Sequence, residues 1–321
     1  MDFIRRSTAS NKRKVLVIGS ANMDLAMNMY RVPEKGETVI DDGGVAYIPG
    51  GKGANSAVAL AKLGANCVLC AKVGADLYGQ QLYQYYKQAG IDTSYIRVDR
   101  DNSTGLAVVI KEGDGSNRIV VYPGANSNLT ADNVLEAFSC EPDALYIGFE
   151  IPFSIALSAA KIASQRGIPI FVDAAPAKKD YSLESLPPLE VFSPNETETL
   201  EYTGISPQGA ESSLRAALAL YKRVKCKYIV IKQGERGCFV YDGKHYFILP
   251  SIRAGKAVDT TAAGDSFTAA MTVEYLRNGG DIKSAARFGT AAGAIAVTRH
   301  GASSSVPTED EVRALLESGE V

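Results

Sequence analysis

The chain has 321 residues, with 34 Lys and Arg against 36 Asp and Glu, and 46% of its residues are apolar. A net charge of −2 provides no global field that would attract nucleic acid. No apolar stretch approaches the roughly 18 residues that a membrane span needs. Two histidines, His245 and His300, are too few for a multi-histidine metal site or a His-centred triad. Any catalysis must therefore come from carboxylates, lysines, backbone amides and glycine-rich loops.

The N-terminus and the cysteines favour a reducing compartment. Residues 1–13 are polar and basic, and the apolar run that follows is too short for a signal-peptide core, so we expect a disordered tail. Five cysteines in a chain of this length form neither a disulfide framework nor a zinc array. Cys67 and Cys70 form a CxxC pair, but residues three apart in a strand face opposite sides. We expect a cytoplasmic protein with buried, reduced cysteines.

In chain order, strand and helix signals alternate over most of the sequence. Short apolar runs predict strands at 15–19, 67–73, 144–147, 168–173 and 228–231. Apolar residues at helical spacing predict helices at 55–63 and 79–88, which end before Gly64 and Gly90. Further helices are predicted at 153–165, 196–202, 210–224, 265–277 and 282–298. Hairpins are predicted at 105–122, with its turn at 112–116, and at 238–249.

This alternation predicts a single α/β domain over 14–321. Its doubly wound, mainly parallel sheet should carry helices on both faces. The β-rich segments near 24–50 and 95–123 interrupt the alternation, and we expect them to form a small β-sheet lid over the α/β body.

The strongest local signal is a run of small residues that leads into a predicted helix, Asp259-Thr260-Thr261-Ala262-Ala263-Gly264-Asp265. Small residues allow a sharp turn, and the free amides of a helix N-terminus attract phosphate. A carboxylate at Asp265 could take a proton from a hydroxyl next to that phosphate. The same pattern is equally consistent with an Asp that only caps a helix.

Other loops carry residue types that suit a polyhydroxylated ligand. The run Gly50-Gly51-Lys52-Gly53-Ala54-Asn55 combines close backbone approach with donors, but it is neither a Walker A loop nor a G-x-G-x-x-G fingerprint. Asn22 and Asp24 follow the first strand and share a face, and Glu150 follows the strand at 144–147. The alternatives are a flexible loop, an Asn/Asp turn and a solvated glutamate. The run Gln233-Gly234-Glu235-Arg236-Gly237 is by itself more typical of a plain turn.

Together and in this order, the motifs resemble the ribokinase family of sugar kinases, which includes fructokinases and adenosine kinase. Residues 50–57, with Gly64 and Gly74 downstream, and residues 259–270 match the two family signatures, and 193–198 resembles the PNxxE segment. Within the family, the residues at 19–24, at 52 and at 150 follow the pattern of the ribose-phosphorylating members. The resemblance implies ATP-dependent phosphorylation of the O5 hydroxyl of D-ribose, with another sugar or a nucleoside as the alternative substrate.

The resemblance also implies individual roles. Sugar hydroxyls would contact Asn22, Asp24, Gly50, Gly51, Lys52, Asn55 and Glu150. Asp265 would be the base, with an anion hole from the amides of Ala262, Ala263 and Gly264. The nucleotide would contact Asn195, Lys232, Gly234, Glu235, Gly237, Gly264 and Thr290, with Glu198 near Mg²⁺; the family typically has Thr at position 232. A monovalent cation, usually K⁺, would lie at Asp259, Thr261, Ala296, Arg299, Gly301 and Ser305. A homodimer formed through the lid is also implied.

Two other classes compete with a kinase. A non-catalytic sugar-binding protein on the same fold would be expected to have lost the 262–265 turn, which is intact here. A nucleotide-dependent oxidoreductase would carry G-x-G-x-x-G after its first strand, and this chain does not. The sequence therefore favours the kinase.

Overall fold

The computed structural model describes residues 12–113 and 117–319. The predicted disordered tail at 1–13 lies outside these residues except for Lys12 and Arg13, and part of the predicted 112–116 turn also lies outside them. Across the described ranges, no helix combines the length and the apolar character that crossing a lipid bilayer requires.

The strands, in chain order, are β1 (Lys14–Ile18), β2 (Asn22–Met29), β3 (Val45–Gly50), β4 (Asn66–Gly74), β5 (Ile96–Asp99), β6 (Gly105–Glu112), β7 (Asn117–Tyr122), β8 (Ala144–Ile147), β9 (Ile170–Asp173), β10 (Leu189–Ser193), β11 (Cys226–Lys232), β12 (Cys238–Tyr241) and β13 (Tyr246–Leu249). The helices are α1 (Lys52–Lys62), α2 (Leu77–Gln88), α3 (Ala131–Ala137), α4 (Phe153–Gln165), α5 (Glu196–Thr203), α6 (Ala210–Arg223), α7 (Ala263–Arg277), α8 (Ile282–Ala296) and α9 (Glu309–Glu317).

The larger sheet has the order β13-β12-β11-β10-β9-β8-β1-β4-β5. It is parallel from β5 to β11, and β12 and β13 add an antiparallel edge. Helices cover both faces because successive strand residues point to opposite sides. Val15 belongs to a core that includes residues of α1, α7 and α8, whereas Leu16 belongs to a core that includes residues of α4 and α6. Cys67 and Cys70 likewise lie in the cores on opposite sides. The predicted doubly wound α/β fold is confirmed.

A second, smaller sheet has the order β3-β2-β6-β7, and we call it the lid. Strand β2 pairs antiparallel with β3 and parallel with β6, and β6 and β7 form a hairpin. Strand β5 lies within the range predicted for the lid, yet it pairs with β4 at the edge of the larger sheet. The predicted lid range is therefore wrong at Ile96–Asp99, where Ile96 is buried in the core of the body.

Three elements escape the sequence analysis: β10, α3 and α9. Both helices begin with a capping box, in which a threonine caps the helix and the residue three positions later bonds back to the threonine amide; these pairs are Thr130 with Asn133 and Thr308 with Glu311. The two capping boxes could therefore have predicted the starts of α3 and α9 from the sequence. The run at β10 is short, follows two prolines and has no alternating apolar pattern, so the sequence does not mark it as a strand.

Candidate active site

A cavity of about 800 Å³ lies between the lid and the carboxyl ends of the parallel strands. Nine predicted site residues line it: Asn22, Asp24, Gly51, Lys52, Asn55, Glu150, Thr261, Ala262 and Asp265. The lid covers the cavity with apolar side chains of β6 and β7, among them Val109 and Val121. The fold thus brings the two signature motifs, from opposite ends of the chain, to one site at the position where open α/β sheets bind ligands.

Glu150 is fixed at the floor of this cavity. Its Oε2 atom accepts hydrogen bonds from the hydroxyl of Ser20 at 2.5 Å and from the amide of Lys52 at 2.9 Å. Because Lys52 is the first residue of α1, the carboxylate lies at the positive end of that helix. Glu150 is therefore a positioned polar group and not a solvated loop residue.

Asn22 is held by Asn126, a residue that the sequence analysis missed. The Nδ2 atom of Asn126 donates to Asn22 Oδ1 at 2.8 Å, and its Oδ1 accepts from the amide of Ala21 at 2.9 Å. Asn126 follows the lid strand β7 and is only 2% exposed. An isolated asparagine after a turn carries no distinguishing pattern, so the sequence offers no signal for this role.

Asp24 is an incompletely satisfied carboxyl group at the same site. Its Oδ1 atom is buried and has no hydrogen-bond partner within the described part of the chain. Gly50 lies directly against the carboxylate, where a Cβ atom would come within 2.2 Å of it. Burial, followed by the nearby charges of Glu150 and Asp265, raises the pKa of Asp24 to about 7. A polar ligand in the cavity would supply the missing partner.

The glycine loop brings α1 close to the start of β2. Gly51 has a φ of +88°, and a Cβ atom there would lie 2.8 Å from the amide nitrogen of Asn22. Only glycine accepts both conditions without strain. This packing explains why Lys52, directly after Gly51, faces the cavity and why α1 begins there, three residues before the predicted start.

The turn before α7 carries Asp265 into the cavity. Ala262 adopts a left-handed conformation with φ of +58°, which costs a non-glycine residue about 1–2 kcal/mol. Asp265 is 5% exposed, and its Oδ2 accepts a hydrogen bond from Asn55 Nδ2 at 3.2 Å. Burial raises the pKa of Asp265, and the ammonium group of Lys52 opposes that rise. Asp265 in turn raises the pKa of Lys52, so the lysine stays protonated.

One of the amides predicted for the anion hole already has a partner within the protein. The amides of Gly264 and Asp265 belong to the first turn of α7 and have no helical partner four residues earlier. The amide of Ala263, however, donates to the carbonyl of Thr260 at 3.3 Å. Its assignment to the anion hole therefore needs correction, because this amide already closes the turn.

Lys232 lies beneath the same turn. Its Nζ atom donates to Asp173 Oδ2 at 2.8 Å and to Thr268 Oγ1 at 3.2 Å, and it lies 3.6 Å from where a Cβ atom of Gly264 would stand. Lys232 and Asp173 are both buried, so this ion pair sits in the body behind the turn. Asp173 ends strand β9, a position that could have marked it as a site residue from the sequence.

The other residues predicted for the nucleotide lie away from the 800 Å³ cavity. Asn195 caps α5 in a capping box with Glu198, whose carboxylate accepts from the amide and the Nδ2 of Asn195 at 2.7 and 2.9 Å. Thr290 lines a separate cavity of about 260 Å³ beside β13.

The remaining predicted nucleotide residues form the turn between β11 and β12. Gly234 and Glu235 make a short 3₁₀ turn. Gly237 packs against the carbonyl of Leu249, only 2.0 Å from where a Cβ atom would stand, and its φ is +86°. Backbone packing is therefore sufficient to explain the glycine at position 237.

The predicted monovalent-cation site centres on Asp259, whose carboxylate already has four donors. Oδ1 accepts from the amide and hydroxyl of Thr261 at 3.0 and 2.6 Å, and Oδ2 accepts from the Nζ of Lys111 at 2.7 Å and the amide of Gly301 at 3.2 Å. An ionised carboxylate offers about four lone-pair positions. The residues present therefore do not fit an additional cation at this carboxylate.

Several cavity residues escaped the sequence analysis. Phe153 and Tyr181 stack with ring centroids 4.6 Å apart, and Phe149 meets Tyr181 edge-on at 5.6 Å, forming an aromatic wall. Apolar positions such as these cannot be distinguished from core positions before the fold is known.

A buried carboxylate at a helix N-terminus, facing a cavity with polar side chains on its floor and a lid above it, is an arrangement that suits a phosphotransferase acting on a small hydroxylated molecule. The model of the pfkB family carbohydrate kinases matches residues 12–309, and the chain belongs to this family.

Similar proteins agree with the family assignment. The ribokinase of Bacillus subtilis is 37% identical over 310 residues, covering 95% of this chain and 99% of the relative. The ribokinase of Haemophilus influenzae is 35% identical over 309 residues, with 95% and 99% covered. The structure of Arabidopsis thaliana ribokinase complexed with ribose and ATP superimposes with a TM-score of 0.83 at 30% identity, covering 95% of this chain and 99% of that chain.

Proposed function

We propose that this chain transfers the γ-phosphoryl group of ATP to the O5 hydroxyl of D-ribose, giving D-ribose 5-phosphate and ADP. The observation that carries the proposal is the convergence of Asp24, Asn55 and Asp265 on one cavity. Buried oxygen atoms of Asp24 and Asn55 have no hydrogen-bond partner among the residues that the structure describes. Sugar hydroxyls would satisfy both, and the ribokinase relatives are matched over nearly their whole length.

Catalysis in this proposal rests on Asp265 and on the start of α7. Asp265 takes the proton of the O5 hydroxyl while the O5 oxygen of the sugar forms a bond to the γ-phosphorus of ATP. The bond between that phosphorus and the oxygen of the leaving ADP breaks. The amides of Gly264 and Asp265 face the charge on the transferring group, with the helix dipole behind them. Phosphoryl transfer needs positioning and electrostatic stabilisation more than covalent help, so a histidine-poor protein can catalyse it.

Mg²⁺ is proposed to enter with ATP. Within the described ranges, no three His, Cys, Asp or Glu side chains form a group that could hold a metal ion. Mg²⁺ usually takes most of its ligands from phosphate and water, with one or two carboxylates. Glu198 is the carboxylate proposed to lie near it. At Asp259 the proposed reaction does not require K⁺, because the carboxylate has its full set of donors.

We further propose a homodimer formed through the lid. Val120 and Tyr122 alternate with the cavity-lining residues of β7 and are 69% and 55% exposed, and Val45 on β3 is 59% exposed. Exposed apolar patches on a sheet mark interaction surfaces. Sedimentation should give a dimer for the wild type and a monomer for Val120→Lys; a monomeric wild type contradicts this proposal.

A cytoplasmic location is proposed on the cysteines and the co-substrate. All five cysteines are free, and four are buried. Free thiols and use of ATP both suit a reducing compartment.

A substrate panel tests the proposed reaction. ADP release is measured with ribose, 2-deoxyribose, fructose and adenosine, each with ATP and Mg²⁺. We expect the highest kcat/KM with ribose. If another compound of the panel is preferred, the assignment as a kinase stands and the assignment of ribose as the substrate is wrong. If none of the compounds is phosphorylated, the proposed function is overturned.

A further inference from the structure

Lys111 extends from the lid to the body of the protein. On strand β6, Ala107 and Val109 line the cavity, and Lys111 lies two residues further along the same face. Its Nζ atom lies 2.7 Å from Asp259 Oδ2. The side chain of Asp259 is 6% exposed and that of Lys111 is 37% exposed, so the lysine reaches inward to a buried carboxylate.

The ammonium group of Lys111 supplies the only side-chain positive charge among the four donors to Asp259 that the described residues provide. The other three are the amide and hydroxyl of Thr261 and the amide of Gly301, which are neutral. The four donors occupy both oxygen atoms of the carboxylate, and the positive charge among them comes from within the chain.

Other residues predicted for the cation site also have partners in the protein. The carbonyl of Ala296 accepts from the amide of Arg299 at 3.1 Å, and the hydroxyl of Ser305 donates to the carbonyl of Ala302 at 2.7 Å. The guanidinium group of Arg299 pairs with Glu311 at 2.6 Å. These polar groups of the predicted site are thus occupied by partners from the chain itself, among them Lys111, Ala302 and Glu311.

We propose that the ammonium group of Lys111 is the monovalent cation of the Asp259 site, so that this kinase works without K⁺. A lysine ammonium and K⁺ carry the same single charge, and both neutralise a carboxylate two residues before Thr261, which lines the cavity. Because Lys111 belongs to the lid, the same contact ties the lid to the loop that precedes α7. This inference rests on the proposed function, because its activity assay measures the phosphorylation of ribose.

The test compares wild type with Lys111→Met, which keeps the length of the side chain and removes its charge. Phosphorylation of ribose is measured with KCl and with tetramethylammonium chloride at equal ionic strength. We expect the wild type to turn over at the same rate in both salts. Lys111→Met should be about tenfold slower in tetramethylammonium chloride and recover in KCl, since K⁺ can enter the vacated position.

Arg118→Met is the matched control. Arg118 is also a lid cation, and its Nε donates to Glu112 at 2.9 Å on an exposed surface. The control removes one positive charge from the lid without touching Asp259. Its rate should not depend on which of the two salts is present.

Thermal unfolding provides a readout that does not need turnover. The Tm of Lys111→Met should rise when KCl replaces tetramethylammonium chloride, because an ion that binds the native state stabilises it. The Tm values of wild type and Arg118→Met should be alike in the two salts. If no sugar is phosphorylated in either salt, the proposed function fails while the Tm comparison still tests the role of Lys111.

Two results would overturn the inference. One is a wild-type enzyme that KCl activates several-fold, which would show that K⁺ acts despite Lys111. The other is a Lys111→Met protein whose rate or Tm does not respond to KCl, since the vacated carboxylate would then hold no cation. The wild-type measurement decides the question even if Lys111→Met fails to fold.

Discussion

Asp24→Asn tests whether the cavity raises the pKa of the carboxyl group of Asp24. The carboxyl group of Asp24 has a pKa of about 7 against an ordinary value of 3.8, chiefly because burial disfavours the charged form, with the charges of Glu150 and Asp265 adding to the effect. Asparagine keeps the size and one hydrogen-bonding oxygen and cannot ionise. The substitution therefore removes the cost of a buried charge and leaves the shape of the site unchanged.

The magnitude follows from the shift in pKa. The folded state holds the Asp24 proton more tightly than the unfolded state, so its stabilising effect is complete below about pH 4 and is lost as the pH rises towards 7. The pKa of Asp24 rises from 3.8 to about 7, and at about 1.36 kcal/mol for each tenfold change in proton affinity this difference corresponds to at most about 4 kcal/mol. Relative to wild type, Asp24→Asn should gain stability across this range of pH.

Urea unfolding at about pH 5 and about pH 8 measures the effect. The free energy of unfolding of Asp24→Asn, relative to wild type, should be higher at the alkaline pH by about 1–3 kcal/mol. Asp99→Asn is the control, because hydrogen bonds led by that from Asn128 hold the pKa of Asp99 at about 2, outside the tested window. An Asp24→Asn effect equal at the two pH values would refute the reasoning.

Two further substitutions test the supports of the site. Lys232→Met should lower the free energy of unfolding by about 3–5 kcal/mol, because it leaves the buried carboxylate of Asp173 without its cationic partner. Urea unfolding measures this loss, and the double variant that also carries Asp173→Asn should recover much of it. Asn126→Ala should raise the KM for ribose about tenfold with little change in kcat, because it frees the side chain of Asn22; an unchanged KM in steady-state kinetics would remove Asn126 from the site.

The main architecture could be predicted from the sequence because its signals are local. Short apolar runs predict strands, terminal glycines predict helix ends, and small residues predict the turn before α7. Each of these signals depends only on residues that are close together in the sequence. The wide alternation of strands and helices then restricts the sheet to a mainly parallel one. Asn22 and Glu150 follow β1 and β8, which are neighbouring parallel strands, so the carboxyl ends of these strands bring both residues to one edge. The two signature motifs follow β3 and β13, which lie outside the parallel part of the sheet, so this rule does not predict their meeting.

The parts that could not be predicted depend on contacts between distant residues. The parallel pairing of β2 with β6 and the bond from Asn126 to Asn22 join segments that no local pattern connects. Lys111 looks like an ordinary lysine at the end of a strand until the fold places it beside Asp259. The amide of Ala263 similarly resembles a free helix terminus until the Thr260 carbonyl is seen to accept from it.

The central claim is that Asp265 activates the O5 hydroxyl of ribose, and Asp265→Asn tests it most directly. Phosphorus NMR identifies the product and its rate of formation, and titration calorimetry measures ribose binding. We expect ribose 5-phosphate from the wild type, a kcat lower by about 10²–10⁴-fold in the variant, and ribose affinity within a few-fold of wild type. A variant that forms ribose 5-phosphate at nearly the wild-type rate would contradict the account.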